Sequence, residues 1–293
     1  MAVAAERVGV VEEPRGAKIV RVLGRTPVHF VLAFVGLLWL MPTLGLLLTS
    51  LLAPADFNDR GWWQIISAPS KATWENYDAV FSNDTITSAI LTTAYIAVGS
   101  TVLPILVAAS AGYAFAWLEF PGRDWWFILV IALLVVPLQM ALIPIFEIYT
   151  NIGLFDTVAG IVLYHTAFAL PFAVFLLRNF FIGIPKDLLE AARVDGASEI
   201  YIFARLILPL GLPAIASLGI FQFLWTWNDL LVALVFGRET QPITVAIFSQ
   251  LRQFGANIEL IAPATFVSLV IPLAVFFAFQ RYFVEGLLAG SVK

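Results

Sequence analysis

Glu190-Ala191-Ala192-Arg193-Val194-Asp195-Gly196, followed ten residues later by Leu206-Ile207-Leu208-Pro209, lies between two apolar stretches near the middle of the chain. Pro185 suits the first position of a short helix here, because its missing N–H is not needed there and its φ is already helical. Gly196 suits a left-handed stop, and Ser198 can cap the next helix. Between them Leu188, Leu189 and Ala192 fall on one side at helical spacing, while Ala191 and Ala192 let another backbone approach closely. A small-residue helical turn, a glycine break and a segment re-entering an apolar run suit protein docking against a membrane domain, not chemistry. Helix propensity alone offers a plainer alternative, since Ala and Leu are good helix formers in any interfacial connector.

Working outward, six runs are long enough to cross a hydrocarbon core, which takes about 20 helical residues. They run over residues 28–52, 90–115, 125–149, 158–181, 210–236 and 261–283. Pro42, Pro104, Pro137, Pro144, Pro171, Pro213 and Pro272 fall inside them; membrane bundles tolerate such residues where neighbours re-satisfy the freed carbonyls, so kinks rather than breaks are expected. The first run is longer than a signal peptide's apolar region and has no small-x-small cleavage site after it, so it reads as a retained span. The resulting expectation is an all-α integral membrane protein with an amino-terminal tail over 1–27, a six-helix domain over 28–284 and a tail over 285–293.

Composition agrees: 61% of the 293 residues are hydrophobic and only 12% charged, where a soluble domain carries roughly 25% charged residues. The absence of cysteine and the presence of only two histidines, His29 and His165, exclude thiolate chemistry and disfavour a metal site. The net charge of −4 disfavours nucleic acid. Six spans put both termini on one side, together with 12 of the 16 basic residues, including Arg123, Arg178, Lys186, Arg193 and Arg205. By the positive-inside rule that side, and the Glu-Ala-Ala loop with it, is cytoplasmic. No phosphate-binding Gly-x-x-x-x-Gly-Lys-Ser/Thr sequence is present, so the chain carries no nucleotide site of its own.

The loop resembles the EAA loop of ATP-binding-cassette importer permeases: Glu-Ala-Ala, three residues, Gly, nine residues, Ile-x-Leu-Pro, with Leu206 the single departure. Leu118 to Arg123, Leu170-Pro171-Phe172, Trp227-Asn228-Asp229 and Gln280 to Lys293 are similar to the maltose-type carbohydrate permeases, and most to their smaller subunit. The resemblance implies a type I importer permease fold in a bacterial inner membrane, with a cytoplasmic coupling helix in a loop over about 185–209. It implies as partners a second permease, two ATPase subunits, an extracytoplasmic sugar-binding protein, lipid and a sugar. No cofactor is expected on this chain, ATP and Mg belonging to partner subunits. By carry-over, Glu190, Ala191, Ala192, Asp195, Gly196 and Pro209 form the ATPase-coupling site, with Glu190 suited to pair with a basic ATPase residue and Asp195 alternatively a solvated loop charge. The resemblance also brings Gly290 to Lys293 toward the ATPase.

On the fifth run Gln222, Trp225 and Asp229 stand at i, i+3 and i+7, with Asn228 beside them, and are candidates for a substrate pathway. An aromatic face can stack on a sugar ring while amide and carboxylate take hydroxyls. Equally, Asn228 and Asp229 could bond a neighbouring helix and Trp225 and Trp227 simply pack. Residues 53–85 and 237–260 are expected to be external docking segments, with lateral packing on the companion permease as the alternative, and Trp62, Trp63, Trp125 and Trp126 interfacial anchors. Asn83-Asp84-Thr85 matches a glycosylation sequon, without significance in a bacterial importer. Two other functions stay open: a proton-coupled secondary transporter using His165 and Asp229 as a relay, and a membrane scaffold. An ATP-binding-cassette permease for a non-sugar solute such as glycerol phosphate is a third.

Overall fold

A computed structural model describes the backbone of residues 15–57, 61–251 and 258–289, and the side chains of 27–57, 61–251 and 258–282. The expected contact through Gly290 to Lys293 lies outside the described residues. Fourteen α-helices follow in order among the described residues: α1 (Arg15–Ser50), α2 (Gln64–Ser67), α3 (Glu75–Phe81), α4 (Asp84–Trp117), α5 (Arg123–Ala132), α6 (Leu138–Ile152), α7 (Val158–Ile182), α8 (Lys186–Val194), α9 (Glu199–Ile202), α10 (Leu208–Leu210), α11 (Leu212–Trp227), α12 (Leu231–Phe236), α13 (Ile243–Leu251) and α14 (Ile258–Ala289).

Four helices are long and apolar enough to cross a membrane unaided: Pro27–Ser50 of α1, Asp84–Trp117, Val158–Ile182 and Ile258–Tyr282. Six are reached if each of two bent pairs counts as one span. One pair, Arg123–Val135 with Leu138–Ile152, turns by 98°. Here the expectation of a mere kink fails, and the cause is local. The ring of Pro137 drives the preceding residue out of the helical region, and Val136 accordingly has ψ 114, with Pro137 itself at ψ 129. Pro42, Pro104, Pro144, Pro171 and Pro272 do stay inside helices. The second pair, Glu199–Leu210 with Leu212–Trp227, bends by 71°. The backbone makes a π-turn over Phe203–Ile207 just ahead of Pro209, which has no N–H to continue the ladder.

The fifth run is therefore not one helix. α11 ends at Trp227, and a new helix, α12, starts at Leu231. The tail boundaries expected at 27/28 and 284/285 likewise fall inside continuous helices α1 and α14.

Helices α4 and α7 form the centre of the bundle. They approach closely enough that a Cβ on Gly112 would lie 3.1 Å from the backbone nitrogen of Arg178, a spacing only glycine permits without displacement. Ala108, Ala109, Leu177 and Phe181 fill the half of this seam nearer α8, and Ile96, Ile161 and Tyr164 the other half with Tyr149 and Phe236. α14 covers α11 and α4 through Ile271 and Val275 against Phe223 and Trp227, while α1 lies outside against α14 with its residues 28–42 exposed.

At one end of the bundle, Trp117 Nε1 donates to Phe181 O at 3.1 Å and the Arg178 guanidinium lies 4.4 Å over the Phe127 ring. At the other, Asn76 donates to Ser50 O and Leu52 O at 2.9 and 2.6 Å, and Asn83, read above as a sequon, caps α4 by accepting from Ile86 N. Residues 237–260 are not a bare loop, since α13 buries Ile243, Val245 and Ala246. Thr93 Oγ1 accepts from Ile243 N at 2.7 Å. Asp156, left-handed at φ 57, accepts from Glu239 N and Thr240 N at 2.9–3.0 Å, and its carbonyl accepts from Thr240 Oγ1 at 2.8 Å. This staple joins the α6–α7 turn to residues 237–241.

Candidate functional site: the α8 loop and the cavities beside Trp225

Pro185 occupies the capping position of α8 with ψ 128, one residue before the first helical position expected for it. Lys186 takes that first position. The helix ends as the sequence requires. Gly196 is left-handed at φ 81, Ala197 N donates to Ala192 O and Gly196 N to Arg193 O, both at 3.0 Å. These are the two bonds of a Schellman stop. Ser198 then caps α9, its Oγ accepting from Tyr201 N at 3.3 Å.

Leu189 is fully buried and Ala192 partly so, but Leu188 is 46% exposed, so the expected common face divides. Leu189, Ile202 and Ile207 join the same apolar cluster as Leu177 and Phe181 of α7, which anchors the loop to the bundle. Pointing away from it are Asp187, Leu188, Glu190, Ala191, Asp195 and Val194, the last 87% exposed, with Ile200 and Tyr201 beyond the glycine. Pro209 lies after the π-turn, in α10. Glu190 accepts from Lys186 at 2.7 Å, and this contact holds its carboxyl below, and the Lys186 ammonium above, their ordinary ranges.

One group at this loop has no sequence signal beyond its charges. Glu199 takes the Arg193 guanidinium at 2.8 and 3.3 Å and accepts from the Tyr113 hydroxyl of α4, 86 residues away in the chain. The local Arg-to-Glu spacing across the glycine could have been noticed; Tyr113 could not.

The four pathway candidates come together, though not as one helix face. Gln222 and Trp225 line a cavity of about 520 Å³ with His165, Phe168, Phe172 and Phe221. Trp225, Asn228 and Asp229 line a second of about 480 Å³. Trp225, 66% exposed, forms the partition between them. The correction concerns Asp229: α11 stops before it, and its carboxylate instead accepts from Val232 N and Ala233 N at 3.4 and 3.0 Å, capping α12. The same carboxylate lies 3.7 Å from Nε2 of the buried His165. Asn228 bonds back to Leu224 O within α11 rather than across helices, and Gln222 donates to Thr226 Oγ1 at 3.3 Å. Trp227 is a structural residue: it is 1% exposed, packs in the core and donates to Ser268 O of α14 at 2.9 Å. The aromatic wall of Phe168, Phe172 and Phe221 was missed, because a Phe inside an apolar run carries no mark of which way it faces.

The profile of the family described as binding-protein-dependent transport system inner membrane component matches residues 105–288. The osmoprotective compounds uptake permease protein GgtD of Synechocystis sp. is 46% identical over 275 residues, 92% of each chain. The alpha-glucoside transport system permease protein AglG of Rhizobium meliloti is 50% identical over 235 residues, 78% of this chain and 62% of its own. In fold, the chain is similar to the crystal structure of a bacterial ABC transporter involved in import of the acidic polysaccharide alginate, with a TM-score of 0.73 at 20% identity over 92% of this chain and 99% of that one. With the loop, the bent spans and the membrane-length helices all in place, this chain belongs to the family of inner membrane components of binding-protein-dependent transport systems.

Proposed function

We propose that the chain is one of two permease subunits of an ATP-driven sugar importer, and that α8 is the element through which a partner ATPase moves it. The observation that carries this reading is the two-sidedness of the loop. Leu189, Ile202 and Ile207 are fully buried in the bundle core, while Leu188, Ala191 and Val194 face outward without cover. An exposed apolar strip of this kind marks a protein contact. The small Ala191 lets a partner come close, and Glu190 offers a carboxylate already held ionised.

In this reading the partners are a companion permease, two ATPase subunits and an extracytoplasmic binding protein. ATP binding closes the ATPase pair, α8 moves with it, and the bundle passes from inward-open to outward-open, a shift of population between two packings. Both termini and the loop face the cytoplasm. The substrate is a neutral sugar or polyol of the α-glucoside kind. The name of the alpha-glucoside relative supports this, and so does the lining of the cavities: aromatic walls, amides and one carboxylate, with no Lys or Arg among the lining residues. A glycerol phosphate would meet Asp229 with no cation to offset it. Trp225 stacks on the sugar ring, and Gln222 and Asn228 take hydroxyls.

Co-purification of the tagged chain from its native membrane tests the reading. The expected result is recovery of an ATPase and a second permease, with hydrolysis stimulated by loaded binding protein and uncoupled by Glu190→Ala. Recovery of the chain alone, with uptake driven by a proton gradient, overturns it.

A further inference from the structure

We propose that Tyr113, Glu199 and Arg193 form a strut that locks the orientation of α8 to α4, and that they are positioning residues for coupling; the second half of this inference rests on the function proposed above. The apolar contact of Leu189 resists separation of the loop from the bundle, but the hydrophobic effect is non-directional. A helix held only by one buried leucine can roll or slide without losing that burial. Directional contacts are needed to convert a push on α8 into movement of a transmembrane helix.

Glu199 supplies them. It opens α9, immediately after the Gly196 stop and the Ser198 cap, and its carboxylate gathers three elements. Arg193, in the last turn of α8, reaches it in the two-pronged geometry that fixes planar orientation, at 2.8 and 3.3 Å. Tyr113, buried in α4, donates its hydroxyl to the same carboxylate. The Tyr113 ring also lies 5.3 Å from that of Phe203 at the start of the π-turn, so the phenol is held on both its apolar and polar sides. Arg193 and Glu199 are partly exposed, with side chains 35% and 42% accessible. A pair so placed contributes little to stability, and its worth here lies in direction. α4 in turn runs the length of the bundle in close packing with α7. A rigid α8–α4 unit therefore carries displacement from the loop to the far ends of both central helices.

Two readings test the strut. In the full chain in lipid nanodiscs, spin labels on cysteines introduced at Leu91, exposed near the far end of α4, and Asp187, exposed on α8, report the spread of positions of one helix relative to the other. No native cysteine competes for label. Tyr113→Phe, which keeps the ring and removes only the hydroxyl, and Glu199→Ala should each broaden the distance distribution, and the double variant should be no broader than Glu199→Ala alone. Distributions as narrow as that of the unsubstituted protein would overturn the strut. In the assembled, reconstituted complex the same variants should lower substrate taken up per ATP hydrolysed by about threefold to tenfold, with subunit recovery unchanged. An unchanged ratio overturns the coupling role. If the unsubstituted chain recovers no ATPase, the importer reading falls, while the label distances still decide the strut.

Discussion

The Lys186–Glu190 pair is set against its own helix. Lysine stands first in α8, where the helix dipole is positive, and glutamate four residues later, the less favourable order for an i, i+4 pair. Both side chains are more than half exposed, so the contact can be given up for a better cation on a partner. The Glu190 carboxyl is held below its ordinary range by Lys186, so its small contribution is present above the unfolded pKa and is lost as pH falls through the lower folded value. Glu190→Ala should leave circular dichroism and membrane insertion unchanged, as expected of a surface substitution, while uptake in proteoliposomes drops at least about tenfold. Gly196 is a separate matter of backbone. Nothing lies within 4 Å of a Cβ built there, so Gly196→Ala meets only the left-handed penalty of about 1–2 kcal/mol. Gly196→Asn should cost less, and thermal unfolding of the purified chain ranks the two. Such residues were legible because their rules are local: a positive φ favours glycine, and a first turn favours a cap. Tyr113 and Glu199 follow no local rule, and three elements have to fold before they meet.

Helix length and apolar content announced the spans, but hydropathy does not register direction. Val136-Pro137 sits in an unbroken apolar run and still turns the chain by 98°, and Asn228-Asp229 ends α11 without denting the run around it. Asp229, placed by periodicity on a helix face, is a cap instead. Asp229→Ala should therefore destabilise α12 by about 0.5–2 kcal/mol, with Asp229→Asn milder, as either loss of a cap predicts; protease accessibility of residues 228–237 is the measurement. Trp225→Ala, removing the partition between the two cavities, should raise KM for the sugar with little change in kcat, seen in initial uptake rates. The α4–α7 seam allows no such freedom. Gly112→Leu should lower the yield of folded protein in detergent, because its Cβ alone comes within 3.1 Å of the Arg178 backbone.

For the whole molecule the deciding question is the source of energy. The proximity of His165 and Asp229, 3.7 Å apart, is what a proton relay would need, yet the carboxylate already has structural employment as the cap of α12. Uptake in vesicles should survive collapse of the proton gradient, stop when ATP is withdrawn, and persist in His165→Asn. Family membership was legible in four residues at fixed spacing; the cavities were not, because they arise between helices distant in sequence. The far end of the bundle carries a different kind of freedom. Glu239 and Thr240 hang from Asp156, their backbone amides on its carboxylate and the Thr240 hydroxyl on its carbonyl, and the side chains of Arg238 and Glu239 are exposed beside that suspension. Side chains at 238 and 239 can thus be exchanged without touching the bonds that hold the segment. A lineage, or an engineer, could rewrite the charge displayed there while the helices beneath stay as they are.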